Sequence, residues 1–128
     1  MKFLHTMIRV YDVEKSLKFY CDALGLELKR RSDFPEREFS LLFLGVPGEE
    51  DGPQLELTYN HDRTKPNDRG DGYGHIALRV DSISALGERL KAQGVEWSWG
   101  PGKTPGGGGA MAFLEDPDGY EVELLGGE

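Results

Sequence analysis

Polar and apolar residues alternate at the start of the chain. Ile8 and Val10 fall on one side of this alternation, and His5 and Arg9 fall on the other. A two-residue period is typical of a β-strand with one buried face, so the pattern predicts a strand over residues 2–10.

A helical period follows this strand. Asp12 can cap a helix because its carboxylate accepts hydrogen bonds from amides of the first turn. Beyond it, apolar residues recur at helical spacing until Gly25. Further strands are then predicted over residues 26–30, 38–46 and 54–59. The predicted order of elements is therefore strand, helix and three strands.

The second half of the chain repeats this order. A strand over residues 74–80 precedes a helix that Asp81 or Ser82 caps and that Gly94 ends. A strand-helix-strand start implies that each helix packs on one face of its sheet and leaves the other face open. The remaining predictions are strands over 95–99, 110–114 and 120–125, a glycine-rich loop over 100–109 and a turn over 116–119.

A polar segment over residues 61–72 separates the two copies. We interpret it as a linker between a first module of about residues 1–60 and a second of about residues 73–126. A chain of 128 residues has the length of one domain, and each half alone would bury too little surface to be stable. We therefore predict a single α+β domain, residues 1–128, in which two tandem βαβββ modules form curved mixed sheets.

The two copies match best around one histidine in each. The segment His-Thr-Met-Ile-Arg-Val begins at His5, and His-Ile-Ala-Leu-Arg-Val begins at His75. A later match, Leu-Glu-Leu against Val-Glu-Leu, contains Glu56 and Glu123. By the alternation of side chains, all four residues lie opposite the apolar side of their strands. They are therefore predicted to point toward the open faces of the two sheets.

Two imidazoles and two carboxylates are a suitable ligand set for a divalent transition metal. A six-coordinate ion held by four protein ligands would keep two positions for water or substrate, as catalytic metal sites do. A single histidine on a strand is more often a hydrogen-bonded structural residue. The repetition of the same residue types on the same face of each copy is what favours a metal site.

The charge of the chain narrows the range of partners. The formal charge is −8 and the isoelectric point is about 4.9, whereas nucleic-acid binding requires clustered Lys and Arg. No apolar segment approaches the ~20 residues of a membrane helix, and the N-terminus lacks the pattern of a signal peptide. The lone Cys21 fits a reducing compartment. We expect a cytoplasmic protein that binds neither nucleic acid nor a membrane.

A set of motifs extends over nearly the whole chain. The motifs are LHTMIRV at 4–10, SLKFY at 16–20, LGL at 24–26, LELTYN at 55–60, GYGHIA at 72–77 and FLEDPDGY at 113–120. With these motifs the sequence resembles glyoxalase I, in the short bacterial form of this enzyme family, the lactoylglutathione lyases of the vicinal oxygen chelate superfamily.

The resemblance implies a ligand set and an assembly. His5, Glu56, His75 and Glu123 match the family's metal ligands, with nickel or cobalt as the favoured ion and zinc or manganese as alternatives. Enzymes of this family are homodimers in which each metal site is shared between chains. The resemblance implies that one chain supplies His5 and Glu56 and its partner supplies His75 and Glu123.

The resemblance also implies roles in substrate binding and catalysis. Arg9 and Asn60 match contacts to the γ-glutamyl end of glutathione, and Lys103 matches a basic residue near a glutathione carboxylate. Glu123 is the first choice of catalytic base, with Glu56 on the other face of the substrate. The roles of His61 and of the Gly106–Gly109 loop remain open.

The reaction implied is the metal-dependent isomerisation of the methylglyoxal–glutathione hemithioacetal to S-D-lactoylglutathione, by proton transfer through an enediolate. The thiol could also be a relative of glutathione. One alternative is an acyl-CoA epimerase or another enzyme of the superfamily, such as an extradiol dioxygenase or a fosfomycin thiol transferase. A second alternative is a non-catalytic module that binds a small ligand. Three-ligand sites would leave Glu56 without a role, and binding modules commonly lose ligands.

Overall fold

A four-stranded mixed sheet forms in each half of the chain in a computed structural model that describes residues 1–128. Contacts divide the chain into two units, Met1–Asp68 and Arg69–Glu128. Each unit adds one helix to its sheet, and the predicted α+β class is confirmed.

The first unit follows the predicted order of strand, helix and three strands. Its sheet has the order β1-β4-β3-β2, in which only β1 and β4 are parallel. Asp12 caps the helix as predicted, since its carboxylate accepts a hydrogen bond from the Lys15 amide. The elements are β1 (His5–Val10), α1 (Val13–Leu17), a π-helical turn (Lys18–Ala23), β2 (Glu27–Phe34), β3 (Phe39–Gly45) and β4 (Gln54–Asn60).

The second unit repeats this topology. Its sheet has the order β5-β8-β7-β6, again with one parallel pair, β5 and β8. The Ser82 hydroxyl caps the helix by accepting from the Ala85 amide. The elements are β5 (His75–Ser82), α2 (Ile83–Ala92), β6 (Trp99–Lys103), β7 (Ala110–Glu115) and β8 (Glu121–Gly127).

Strand β6 lies further along the chain than the sequence pattern predicted. The amide of Val95 bonds to the carbonyl of Leu90, so the predicted start of the strand belongs to the end of α2. The strand covers residues 99–103 and changes register between Trp99 and Gly102. The prediction of a loop from residue 100 was wrong because an edge strand accommodates glycine and proline at an irregularity.

Two other strands differ from their predicted limits by three or more residues at one end. The first strand begins at His5 rather than at residue 2, because its pairing with β4 begins there. Strand β2 continues to Phe34, beyond the predicted end at residue 30. A single turn of 3₁₀-helix (Pro35–Arg37) joins it to β3, so the two strands remain paired up to Phe34 and Phe39.

Helical residues bury apolar side chains in both units: Phe19, Tyr20 and Ala23 in the first, and Ile83, Leu86 and Leu90 in the second. In the second unit α2 contacts β5, β7 and β8. No helix is long and apolar enough to span a membrane. Almost wholly buried apolar side chains are Tyr20, Leu42, Leu44 and Leu57 in the first unit, and Ile83, Leu90, Leu114 and Leu124 in the second.

Candidate metal centre

A histidine and a glutamate lie together on the parallel strands of the first unit. His5 of β1 is in register with Gln54 of β4, and Glu56 is two residues further on, so its side chain is on the same face. The Nε2 atom of His5 is 3.2 Å from the Oε1 atom of Glu56. The imidazole is 39% exposed and the carboxylate side chain 12%.

The second unit repeats this His–Glu arrangement. His75 of β5 is in register with Glu121 of β8, and Glu123 is two residues further on. The Nε2 atom of His75 is 3.2 Å from the Oε2 atom of Glu123. The structure therefore brings each histidine to the glutamate of its own unit at the same register offset.

The separation of these atoms fits neighbouring ligands of one metal ion. Metal–ligand bonds of about 2.1 Å place two ligands at a right angle roughly 3 Å apart. In the first unit the Thr58 hydroxyl donates to Oε2 of Glu56 at 3.2 Å, while Oε1 faces His5. No third His, Cys, Asp or Glu joins the pair within either unit. Each unit thus offers two ligands, which fit a divalent transition metal in their chemistry.

A phenylalanine packs against the imidazole in both units. Phe43 lies opposite Glu56 in the ladder, and Phe113 lies opposite Glu123. The centroids of the His5 and Phe43 rings are 5.7 Å apart, and those of His75 and Phe113 are 5.4 Å apart, both in edge contacts. Such contacts restrict the orientation of the imidazole. The sequence pattern did not lead us to predict a role for these two phenylalanines, although each begins a Phe-Leu dipeptide, at 43 and at 113, that is repeated in the two halves.

The next strand across each sheet carries a different side chain. Arg30 of β2 pairs with Phe43, and its guanidinium carbon lies 4.2 Å from the centroid of that ring. Trp99 of β6 pairs with Phe113, with their ring centroids 6.1 Å apart. The two units are therefore alike at the histidine, the glutamate and the phenylalanine. They differ at the residue that pairs with the phenylalanine, which is Arg30 in the first unit and Trp99 in the second.

The structure places Arg9 and Asn60 on the face that carries the His5–Glu56 pair. Arg9 is in register with Thr58, and Asn60 lies four residues beyond Glu56 on the same strand. Even spacing along a strand keeps all of these side chains on one face.

Lys103 lies elsewhere. It is in register with Ala110, which belongs to the buried side of the second sheet. It lines a cavity of about 330 Å³ together with Ile83, Ser84 and Glu128. The structure does not bring Lys103 to the His75–Glu123 pair.

His61 belongs to a separate polar cluster. The Ser40 hydroxyl donates to the Asp33 carboxylate and is 2.8 Å from Nε2 of His61. A hydroxyl has one proton to donate, so Nε2 of His61 must be the donor to Ser40. The hydrogen bond from Ser40 is the main cause that holds the pKa of Asp33 below its usual value. Ser40 and Phe43 are three residues apart along β3, so their side chains lie on opposite faces of the strand. Ser40 therefore faces away from the His5–Glu56 pair.

The fold and these pairs define a class of protein. Two βαβββ units, each with candidate metal ligands on the open face of its sheet, are characteristic of vicinal oxygen chelate proteins. The family model for the Glyoxalase/Bleomycin resistance protein/Dioxygenase superfamily matches residues 2–124. The chain belongs to this superfamily.

Relatives named as lactoylglutathione lyases match nearly the whole chain. A probable lactoylglutathione lyase of Synechocystis is 46% identical over 125 residues, which are 98% of this chain and 95% of the relative. A lactoylglutathione lyase of Neisseria meningitidis serogroup B is 47% identical and covers 98% of this chain and 90% of the relative. Among solved structures, the trypanothione-dependent glyoxalase I of Leishmania major matches with a TM-score of 0.83 and 40% identity, over 98% of this chain and 86% of that one.

Proposed function

We propose that this protein is a metal-dependent lactoylglutathione lyase. It converts the hemithioacetal of methylglyoxal and glutathione into S-D-lactoylglutathione and so detoxifies methylglyoxal. The observation that carries this proposal is the repeated His–Glu pair, with the same register and the same 3.2 Å separation in both units. The names of relatives at 46% and 47% identity support the choice of substrate.

The proposal assigns four ligands to one divalent ion. Each unit offers two, His5 with Glu56 and His75 with Glu123, whereas catalytic sites of this kind use at least three protein ligands. By analogy with the assembly of this family, we infer that two chains form a homodimer in which each site takes one pair from each chain. Imidazole and carboxylate ligands do not distinguish nickel and cobalt from zinc and manganese. We favour nickel or cobalt because the chain resembles the short bacterial form of the family.

We also place the protein in the cytoplasm. Cys21 is the only cysteine of the chain, and it forms no disulfide. Chains that work in oxidising compartments commonly use disulfides for stability, and this chain has none.

The catalytic step transfers a proton between adjacent carbons. When bound, the metal would supply positive charge that lowers the energy of the anion formed as the proton leaves. Glu123 takes the proton from the carbon that carries sulfur and returns it to the neighbouring carbonyl carbon. The hydroxyl proton moves from the first oxygen to the second, so the substrate and the thioester product have the same atoms. Glu56 stands on the opposite face of the substrate.

Arg9 and Asn60 hold the γ-glutamyl end of glutathione in this proposal. A guanidinium can bind a carboxylate through two parallel hydrogen bonds, and the Asn60 amide can accept from the ammonium group. Both residues share a face with the His5–Glu56 pair. The role of Lys103 stays a prediction without structural support, since it pairs with Ala110 on the buried side of its sheet.

An assay with methylglyoxal and glutathione tests the proposal. Protein stripped with a chelator is reloaded with nickel, cobalt, manganese or zinc, and thioester formation is followed by absorbance. We expect turnover only with added metal, and highest with nickel or cobalt. Protein that is folded and metal-loaded but inactive with every ion would overturn the proposal. Proton exchange in an acyl-CoA thioester, without activity on the hemithioacetal, would identify an epimerase instead.

The same assay can identify the thiol. Trypanothione replaces glutathione in a parallel series, because a structural relative depends on it. We expect glutathione to be the better co-substrate by kcat/KM, and a preference for trypanothione would correct this part of the proposal.

A further inference from the structure

The two units differ at one position next to an otherwise repeated arrangement. Glu56 and Phe43 in the first unit correspond by register to Glu123 and Phe113 in the second. The next strand has Arg30 in the first unit and Trp99 in the second. Arg30 and Trp99 therefore give the two units different chemical surfaces beside the same arrangement of histidine, glutamate and phenylalanine.

Trp99 is placed as a contact surface rather than as a core residue. Its side chain is 51% exposed although it is among the largest apolar groups of the chain. Its ring lies 6.1 Å from that of Phe113, whose ring lies 5.4 Å from that of His75. An aromatic surface therefore continues from the histidine of the metal pair to the indole. Exposed apolar surface beside such a pair is a feature of ligand sites.

Gly102 provides the space in which the indole lies. A Cβ atom at residue 102 would be 2.7 Å from the Trp99 ring, closer than two such atoms can approach. The φ angle of Gly102 is not positive, so the backbone itself would accept another residue. The glycine is thus explained by the position of the ring above it.

We propose that Trp99 is a specificity-determining residue that selects the carbonyl substituent of the substrate and favours aryl over methyl groups. This inference rests on the proposed lyase function and deepens it. The Phe113 ring lies next to both His75 and Trp99. A methyl substituent on a carbon bound beside His75 would therefore end short of the indole, whereas an aryl ring would extend along Phe113 toward it. Aromatic rings gain further stabilisation from edge and offset contacts with one another.

Replacement of the indole tests the proposal. In Trp99→Ala, kcat/KM for the phenylglyoxal–glutathione adduct should fall roughly tenfold, while the value for the methylglyoxal adduct changes less than about twofold. Trp97→Ala is the matched control. Trp97 packs near Gly87 of α2 and lines a cavity with Glu88 and Lys91, on the helix side of the unit. The Trp97→Ala variant should leave the ratio of kcat/KM for the two substrates unchanged.

A second variant moves the indole without removing it. In Gly102→Ala the new methyl group displaces the ring, so the preference for the phenyl substrate should fall in the same direction as in Trp99→Ala. An equal loss for both substrates, or an unchanged ratio in both variants, would show that Trp99 does not select the substituent.

Binding can be measured without turnover. The chain has two tryptophans, so Trp97→Phe leaves Trp99 as the only indole. S-benzylglutathione should change the fluorescence of this variant and bind at least about fivefold more tightly than S-methylglutathione. Equal affinity of the two thioethers, or no change in Trp99 emission, would overturn the inference. Failure of the lyase function would appear in the wild-type assay, whereas failure of this inference would appear only in variants of an active protein.

Discussion

At the level of single residues, the histidine and the glutamate of each His–Glu pair differ in exposure. The imidazoles of His5 and His75 are 39% and 41% exposed, whereas the carboxylates of Glu56 and Glu123 are 12% and 16% exposed. A carboxylate held away from water interacts more strongly with a nearby cation, because there is less solvent to screen the charge. The glutamates are therefore the residues whose charge should matter most.

Replacement of Glu123 by glutamine tests its role as base. Glutamine has the same shape but cannot accept the substrate proton, so kcat should fall by about 10²–10⁴-fold. The variant should keep its fold and much of its metal, which mass spectrometry and circular dichroism would measure. Glu121→Gln is the control on the same strand, two residues away and in register with His75. Near-normal turnover in Glu123→Gln would contradict the assignment of Glu123 as the catalytic base.

Arg9→Ala tests the contact with the γ-glutamyl carboxylate. Loss of a hydrogen bond between charged groups costs about 1.5–3 kcal/mol, which corresponds to roughly a tenfold to hundredfold higher KM for the glutathione adduct. Arg79→Ala changes the equivalent residue of the second unit, which has no proposed contact, and should leave KM unchanged. An unchanged KM with a collapsed kcat in Arg9→Ala would contradict substrate binding as its role.

At the level of elements, the alternation of side chains was enough to place both His–Glu pairs on one face of their strands. It could not give the register between strands, and the register is what sets Phe43 opposite Glu56 and Phe113 opposite Glu123. The same limit applies to Trp99. The pattern predicted a strand that ends at this residue, whereas β6 begins at it. Register depends on hairpin geometry and pairing between distant segments, which single-strand periodicity does not contain.

The parallel pair β5 and β8 should be sensitive at Gly126. This residue pairs with Val80, and a Cβ atom there would lie 2.1 Å from the Val80 carbonyl oxygen. Gly126→Ala should therefore lower the free energy of unfolding by about 1–3 kcal/mol, because the backbone of β5 must shift. Gly72→Ala is the control, since no atom lies within 4 Å of the added group and its φ is not positive. Equal urea midpoints for the two variants would contradict this account.

At the level of the whole molecule, the proposed sharing of sites between chains can be tested by complementation. One variant loses His5 and Glu56, and another loses His75 and Glu123; each alone should be inactive. In a heterodimer of the two, one of the two shared sites has all four ligands. Random mixing should restore about a quarter of wild-type activity.

The outcome separates two assemblies. If all four ligands came from one chain, every site in the mixture would lack a pair and no activity would return. Refolding the two variants separately before mixing provides the control, because activity should then appear only as subunits exchange.

Two similar units are joined in one chain, and this affects how the proposed shared metal site can change by mutation. In an assembly of identical single units, one codon would determine both sides of the site, and every substitution would appear twice. Here Arg30 and Trp99 are encoded separately, although they occupy equivalent positions in their sheets. In the proposed shared site, one half can therefore acquire a new preference while the four proposed ligands stay the same.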